Sequence, residues 1–311
     1  MASPARTCDT ASSRETTLPV GLFAGVGSGT AGTLTELTSV YRPAMIRYEV
    51  GDDHVGRITL DRPEAKNALT VEMRDDLVDV IRRARDDDAV RALLITGVDD
   101  SFCAGMDLRA STVSQAGGAA FNPRSTSEAL RKGVQTFIRE LWELDKPTVA
   151  AVNGTAVGPG AHLALACDFV MVHPATRFVW SFAKWGLVVD AGGAYLLPRL
   201  VGLPRAKAMV MLGEGAVGEE AVRLGLAYSC SDSVEVLAKD ADELAVRLAA
   251  GPTRSLGLSK QLLNATFETA IAPSLDREAH FQAMAATSPE MAEGMAAFKE
   301  RRAPNFADPG D

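Results

Sequence analysis

Two stretches of the chain repeat one pattern, in which a short apolar run leads into a glycine-containing turn. They are "LLITGVDDSFCAGMDL" (93–108) and "AVNGTAVGPGAHLALACDF" (151–169). Short apolar runs bounded by turn residues are typical of strands that are buried on both faces. Because strands that alternate with crossover helices form parallel sheets, the sequence predicts an α/β fold around a parallel sheet.

The segments around this pattern predict further elements. "MIRYEV" and "HVGRITL" alternate apolar and polar residues on either side of a Gly-Asp turn, which indicates a hairpin. Thr70 is placed to cap a helix that runs to about Ala84, and a second amphipathic helix is predicted over 128–144. From Gly193 to about Arg302 the pattern is predominantly helical.

Composition excludes several classes of function. The 311 residues carry a net charge of −8, which argues against a nucleic-acid partner. The 4 cysteines have no paired spacing and the 4 histidines are scattered, so neither a disulfide framework nor a metal site is expected. Apolar runs are shorter than the roughly 18 to 20 residues that span a bilayer. We therefore expect a cytoplasmic protein with no membrane partner.

The first 44 residues differ from the rest of the chain. They are rich in Ser, Thr, Gly and Ala and lack clear periodicity. Such composition is typical of a disordered extension, so residues 1–44 are predicted to be disordered and the ordered chain to start near Met45.

A third stretch, "RITLDRPEAKNALT" (57–70), precedes the two repeated ones, and "GLVVDAGGAYLLPRLVG" (186–202) follows them. In this order and spacing the set resembles the enoyl-CoA hydratase/isomerase (crotonase) superfamily, from Met45 to about Phe306. The resemblance implies a spiral core of repeated ββα units over 45–245 and a helical region over 246–311 that trimerises. It further implies an acyl-CoA substrate, a homotrimer or hexamer, and no metal or redox cofactor.

The same resemblance implies that two backbone N–H groups hold the thioester oxygen as it becomes an enolate. By position the first donor is Met106 and the second falls on Pro159, which has no N–H. Proline is favoured at the first position of a helix, so Pro159 also fits a purely structural role. Gly160 is the next residue that could supply the missing donor.

The residues expected to move protons depart from the hydratase pattern. His162 and Phe182 stand where the resemblance places the two glutamates of hydratases. His162 is a candidate base, or a histidine on a helix that faces a polar cavity. Asp190 lies among apolar residues and matches the aspartate of related isomerases, including the ring-opening phenylacetyl-CoA type. It is the preferred catalytic base, although it also fits a helix cap.

Other positions match weaker signals of the family. The residues expected to contact coenzyme A or the acyl group are Lys66, Asn67, Ala68, Ala104, Gly105, Asp107, Leu108 and Phe182. Lys299 and Arg301 could meet the phosphates of coenzyme A, while Cys103 is interpreted as a buried filler rather than a nucleophile. Trp180 and Trp185 are expected to line an acyl pocket or to pack in the core.

These observations favour isomerisation of an enoyl-CoA double bond with Asp190 as the base. One alternative is a hydratase that uses His162 and Asp190 as a non-standard pair. Another is an acyl-CoA binding protein without turnover, which the loss of both glutamates and the presence of Pro159 would fit. A dehalogenase would need a histidine within 106–145, and that segment has none. RNA binding is disfavoured by three aspartates on the helix that begins at Val71.

Overall fold

The structure, a computed structural model, describes residues 37–41, 45–107 and 123–306. Its strands divide between two sheets. The larger sheet contains, in spatial order, β1 Leu37–Tyr41, β2 Ile46–Gly51, β3 Val55–Leu60, β4 Ala92–Gly97, β6 Thr148–Ala151, β8 Phe169–Val172 and β11 Ser229–Cys230. The smaller sheet contains β10 Ala216–Val217, β9 Arg177–Val179, β7 Thr155–Val157 and β5 Ser101–Cys103.

From β4 to β9, successive strands alternate between these sheets. β4, β6 and β8 pair in parallel in the larger sheet, while the strand after each of them, β5, β7 and β9, pairs in parallel in the smaller one. The predicted hairpin is present, since β2 and β3 are antiparallel. This repetition, with a helical segment after each strand pair, is the predicted α/β spiral of ββα units.

Helices complete the units and form the C-terminal region. In chain order they are α1 Val71–Asp86, α2 Pro123–Lys132, α3 Val134–Trp142, α4 Pro159–Leu165, α5 Gly193–Val201, α6 Leu203–Lys207, α7 Glu219–Leu224, α8 Val234–Ala249, α9 Thr253–Asn264, α10 Ile271–Ala286 and α11 Pro289–Glu300. Single 3-10 turns lie at Pro63–Ala65 and Phe182–Trp185, and a π-helical turn spans Ala208–Leu212.

Both faces of the larger sheet are covered. Leu237, Leu244 and neighbouring apolar residues of α8 pack against one face, on strand residues that include Leu94 and Val149. The main core, which includes the buried residues Leu77 and Ile81 of α1, lies on the other side. Parallel strands with both faces covered explain the nearly continuous apolar runs in the sequence.

Some predicted boundaries are confirmed and others are wrong. The Thr70 hydroxyl accepts a hydrogen bond of 3.1 Å from the N–H of Met73 and caps α1 as predicted. The helix predicted over 128–144 is two helices, because the backbone leaves helical geometry at Gly133, with φ −107° and ψ −112°. Strand β1 lies within the segment predicted to be disordered. The boundary predicted between 245 and 246 falls inside α8, which is one continuous helix.

A buried ion pair connects the C-terminal helices to the core. Lys260 of α9 places its Nζ 2.9 Å from Asp168 Oδ2, and both side chains are largely buried. The same carboxylate oxygen accepts hydrogen bonds of 2.8 Å from the N–H and the hydroxyl of Thr148 in β6.

Within the described residues, no helix is both long enough and apolar enough to span a membrane.

Candidate active site

The predicted site residues follow three neighbouring strands of the smaller sheet. Met106 comes after β5, Pro159 after β7, and Phe182 after β9. These three strands are parallel and adjacent, in the order β9-β7-β5. Because the carboxyl ends of parallel strands meet at one edge of a sheet, the topology brings these segments together at that edge.

At Gly105 the segment after β5 contacts the segment at the end of β7. The φ of Gly105 is +85°, and a Cβ atom at this position would lie 2.8 Å from the carbonyl oxygen of Val157. Its own carbonyl accepts a hydrogen bond of 2.8 Å from the N–H of Leu69, and Ala104 N–H donates to Lys66 O at 3.0 Å. The loop that contains Lys66, the loop after β5 and the turn after β7 are therefore packed against one another.

The two candidate oxyanion donors lie on these adjoining segments. The N–H groups of Met106 and Gly160 make no hydrogen bond within the described part of the chain. Pro159 occupies the first position of α4. An N–H at this position has no partner within the helix, so proline, which has no N–H, is favoured there. Two backbone N–H groups without a protein acceptor are what stabilisation of a developing negative charge would require.

Gly160 lies directly against Cys103 and contributes to its burial. A Cβ atom at position 160 would lie 2.4 Å from the carbonyl oxygen of Cys103 and 2.8 Å from its sulfur, so the two backbones are in direct contact. Cys103 is completely buried, and burial raises the pKa of its thiol to about 12. The interpretation of Cys103 as a buried filler agrees with this environment, because the thiolate is the reactive form.

The side chain of Asn67 is not available to a ligand. It is completely buried, accepts a hydrogen bond of 3.0 Å from Arg62 N–H, and donates to the carbonyl oxygens of Val98 at 3.0 Å and Ser101 at 2.6 Å. A contact of Asn67 with coenzyme A, which the family resemblance implies, would therefore be made through its backbone. Its amide is used to hold two loops together.

Arg62 also connects these loops, and the sequence did not single it out. Its Nη2 lies 2.7 Å from Asp107 Oδ2, and its Nη1 donates a hydrogen bond of 2.9 Å to the carbonyl oxygen of Ala68. Asp107 is thus engaged with protein rather than free for a ligand. The sequence carried one signal of this ion pair: an arginine directly before Pro63 in the first loop and an aspartate directly after Met106 in the second.

The remaining candidates for ligand contact have varied environments. Lys66 is exposed in the left-handed conformation, with φ +52°. Leu108 lies outside the described residues. Trp185 is exposed, as are Lys299 and Arg301 of the C-terminal helical region, while Trp180 is completely buried in the core.

His162 does not face a polar cavity. It is completely buried in α4, where its Nε2 accepts a hydrogen bond of 3.0 Å from the indole N–H of Trp180. The ring of Phe182 stacks on the imidazole, with centroids 5.9 Å apart. The two positions that the family resemblance assigns to hydratase glutamates are therefore in contact, but they form a buried aromatic pair.

Burial also sets the charge of His162. Desolvation lowers its pKa to about 4, and the nearby backbone of Asp190 offsets this only in part. The ring is neutral at pH 7. Because Nε2 accepts the Trp180 hydrogen bond, the single proton of the neutral ring is on Nδ1. A buried imidazole in this state lacks the free, accessible lone pair that a general base needs, which corrects the prediction of His162 as a base.

Asp190 begins a tight turn at the start of α5. Gly193 N–H donates to Asp190 O at 2.9 Å, and the intervening Ala191 and Gly192 both have positive φ. Oδ1 of Asp190 is buried and has no hydrogen-bond partner among the described residues. Burial raises the pKa of this carboxyl from 3.8 to about 6. A half-buried carboxylate with one unpaired oxygen and such a pKa is suited to take up and release a proton near neutral pH.

Comparison with known proteins assigns the family. The model of the enoyl-CoA hydratase/isomerase family matches residues 51–309. The chain is 38% identical over 249 residues to 1,2-epoxyphenylacetyl-CoA isomerase of Escherichia coli (strain K12), which covers 80% of this chain and 93% of the relative. It is 32% identical over 256 residues to the mitochondrial enoyl-CoA hydratase of Pongo abelii, covering 82% and 84%.

A crystal structure of an enoyl-CoA hydratase/isomerase from Cupriavidus metallidurans CH34 has the same fold. It superposes with a TM-score of 0.78 at 33% identity, over 86% of this chain and 97% of that one. The family match, the level of identity and the shared spiral of ββα units agree with one another. The chain belongs to the enoyl-CoA hydratase/isomerase family of acyl-CoA enzymes, which has the crotonase fold.

Proposed function

We propose that this enzyme shifts the double bond of an enoyl-CoA by enolate-stabilised proton transfer, with Asp190 as the only carboxylate that moves the proton. The Met106 and Gly160 N–H groups hold the thioester oxygen. The name of the isomerase relative supports a rearrangement of an acyl-CoA rather than an addition to it.

The proposed reaction balances with one carboxylate. Ionised Asp190 removes a proton from the α-carbon of a 3-enoyl-CoA, and the electron pair delocalises into a dienolate whose negative oxygen lies at the two donors. Protonated Asp190 then returns the proton to the γ-carbon. The product is the 2-enoyl-CoA, and Asp190 is ionised again. No water is added, and no electron leaves the substrate.

The observation that carries the proposal is the contrast between Asp190 and the 162–182 pair. Asp190 has a buried, unpaired carboxylate oxygen and a raised pKa. His162 and Phe182 are packed together and carry no carboxylate that could activate water. Among the described residues, Asp190 thus fits proton transfer between carbons, and positions 162 and 182 supply no pair of carboxylates for hydration.

Deuterium exchange tests this proposal directly. The enzyme is incubated with 3-enoyl-CoA esters in D2O, and the products are analysed by mass and by the position of the label. Isomerisation leaves the unlabelled mass unchanged in H2O, and in D2O it introduces deuterium at the α- and γ-carbons. We expect Asp190→Asn to lower exchange by at least a thousandfold. Asp52→Asn, at an exposed hairpin residue, is the matched control.

The two alternatives give different results in the same assay. A hydratase that uses His162 and Asp190 would add the mass of water, but the buried state of His162 does not support it. A binding protein without turnover would retain the ester and show no exchange, and the missing N–H of Pro159 is the observation that favours it. Exchange that persists in the Asp190→Asn variant would contradict the proposed mechanism.

We also propose that the enzyme is a homotrimer or a hexamer. Large apolar side chains are exposed on and between the last three helices, among them Leu263, Phe267, Ile271 and Phe298. Exposure of several large apolar side chains in one region of the chain supports a surface that another subunit covers. Sedimentation equilibrium should give three or six times the 32.9 kDa mass of the chain. A monomer at micromolar concentration would contradict this proposal.

A further inference from the structure

We propose that His162 is a positioning residue for Asp190: Trp180 fixes the proton of the imidazole on Nδ1, and the ring supports the Asp190–Gly193 turn. This inference rests on the proposed function, in which Asp190 is the base. It gives His162 a role through another residue, without contact to the substrate.

The first step of the argument is the contact between the ring and the turn. A Cβ atom at Gly193 would lie 2.2 Å from Cε1 and 2.3 Å from Nε2 of His162. The backbone at Gly193 therefore lies directly on the imidazole. Since Gly193 N–H donates to Asp190 O at 2.9 Å, the same residue that touches His162 also closes the turn that carries Asp190.

The second step concerns the orientation of the ring. Trp180 donates to Nε2 from one edge, and Phe182 lies parallel to the ring within 6°. These two contacts restrain the rotation of the imidazole. Its face and its Nε2 edge are both engaged with side chains of the segment that follows β9.

The third step concerns the polar atoms that remain. His162 Nδ1 and Asp190 Oδ1 are both buried, and neither has a hydrogen-bond partner among the described residues. The backbone of Asp190 acts on the imidazole as a weak hydrogen-bond acceptor would, since it partly offsets the lowering of the His162 pKa by burial. A buried donor without a full hydrogen bond is energetically costly. An Asp190–Gly193 turn that keeps the Asp190 backbone beside the ring therefore stabilises the Nδ1–H, and this couples the imidazole to the turn.

Two isosteric variants separate this role from simple packing. His162→Asn keeps an amide group near the Nδ1 position, whereas His162→Gln keeps one near the Nε2 position. We expect the Asn variant to retain at least tenfold more exchange activity than the Gln variant, through kcat, with similar KM values. Unfolding by urea shows whether both variants fold. Equal loss in both, in proportion to their loss of stability, would mean that His162 only fills space.

The tautomer is measured independently of turnover. The ¹⁵N shifts of the His162 ring in the full-length wild-type enzyme should show a neutral imidazole with its proton on Nδ1 at pH 7. Trp180→Phe should allow the proton to move to Nε2. A wild-type proton on Nε2, or a protonated ring, would overturn the inference. If exchange is absent in the wild type, or persists in Asp190→Asn, the proposed function fails and the inference fails with it. A functioning Asp190 with equally active Asn and Gln variants contradicts the inference alone.

Discussion

Phe182 stacks on the imidazole of His162, with ring centroids 5.9 Å apart and ring planes within 6° of parallel. The family resemblance places the two glutamates of hydratases at these positions. Here both side chains are buried, so the space that would hold a pair of carboxylates and a water molecule is filled with aromatic rings. The difference changes which reaction the same backbone supports.

Placing a carboxylate in this pair should not create a hydratase. Phe182→Glu would bury a charge against His162, which is neutral at pH 7, so we expect a loss of about 3 kcal/mol in the free energy of unfolding. Lys184→Glu, at an exposed residue of the same 3-10 turn, is the control and should change stability by less than about 0.5 kcal/mol. Urea denaturation measures both. Measurable hydration by the Phe182→Glu enzyme would contradict this prediction.

Gly160→Ala should impair both the fold and the oxyanion donors. The added methyl group would lie 2.4 Å from Cys103 O, and the backbone at 160 must move away to accommodate it. We expect exchange to fall by roughly a hundredfold, the effect of losing one oxyanion donor. Gly294→Ala in α11 is the control, because a Cβ there would make only an ordinary contact, 3.8 Å from the Phe306 ring. If Gly160→Ala retains full exchange, Gly160 is not a donor.

Pro159→Ala tests whether the site lacks a donor. The variant adds an N–H at the first position of α4 and removes the restraint of the proline ring, which should cost about 0.5–1 kcal/mol of stability. Because Gly160 supplies the donor in the proposed mechanism, we expect exchange to rise by less than about tenfold. A rise near a hundredfold would show that wild-type enzyme works with one donor only.

The pH dependence of exchange should follow Asp190. This group must be ionised to accept a proton, and burial raises its pKa to about 6. The rate should therefore be level above pH 7 and should fall tenfold per pH unit below about 6. Initial exchange rates between pH 4.5 and 8 measure this limb, provided that circular dichroism shows a folded enzyme throughout. A rate that is level down to pH 5 would exclude Asp190 as the base.

Ionisation of the Asp190 carboxyl should also make the free energy of unfolding depend on pH, in a direction that its raised pKa defines. Its raised pKa means that the folded state binds the proton more tightly than the unfolded state, so the contribution is fully present below about pH 3.8 and is lost as the pH rises through about 6. The wild type should thus gain on the order of 1 kcal/mol relative to Asp190→Asn between pH 7 and pH 4, after allowance for partial solvent exposure. Urea titrations of both proteins measure the difference. A change of opposite sign would contradict the buried environment of Asp190.

The Lys260–Asp168 ion pair should matter far more than an exposed pair. Lys260→Met leaves a largely buried carboxylate without its cation, which we expect to cost about 3 kcal/mol. Lys239→Met removes an exposed partner of Glu243 and should cost less than about 0.5 kcal/mol. Urea denaturation at two salt concentrations compares them. Equal effects would show that α9 is not anchored through this pair.

The sequence predicted the parallel sheet and the segments of the site because both depend on local patterns. Apolar runs with turns identified β4 and β6, and family motifs identified the positions of Met106 and Gly160. It could not give the environment of His162. All seven residues of α4 are buried, so the helix has no polar face whose periodicity could show which side chains point to the core.

Asn67 and Arg62 show a second limit of the sequence. Their partners lie in other loops, as Ser101 does for Asn67 and Asp107 does for Arg62. A polar residue in a loop motif is compatible with binding a ligand or with holding a second loop, and only the tertiary structure distinguishes these roles. The break at Gly133 was also missed, because a glycine within an amphipathic pattern is often tolerated in a continuous helix.

The register of three short strands fixes where the proposed donors lie. β7 has only three residues, paired on one side with β5 and on the other with β9. One inserted residue in β7 would shift the Gly160 N–H by about 3.3 Å, more than the tolerance of a hydrogen bond. Because the proposed donors belong to the main chain, the side chains around them can be exchanged while this edge of the sheet keeps its geometry. This enzyme could thus acquire a different reaction through a handful of substitutions, whereas a single insertion at that edge would abolish it.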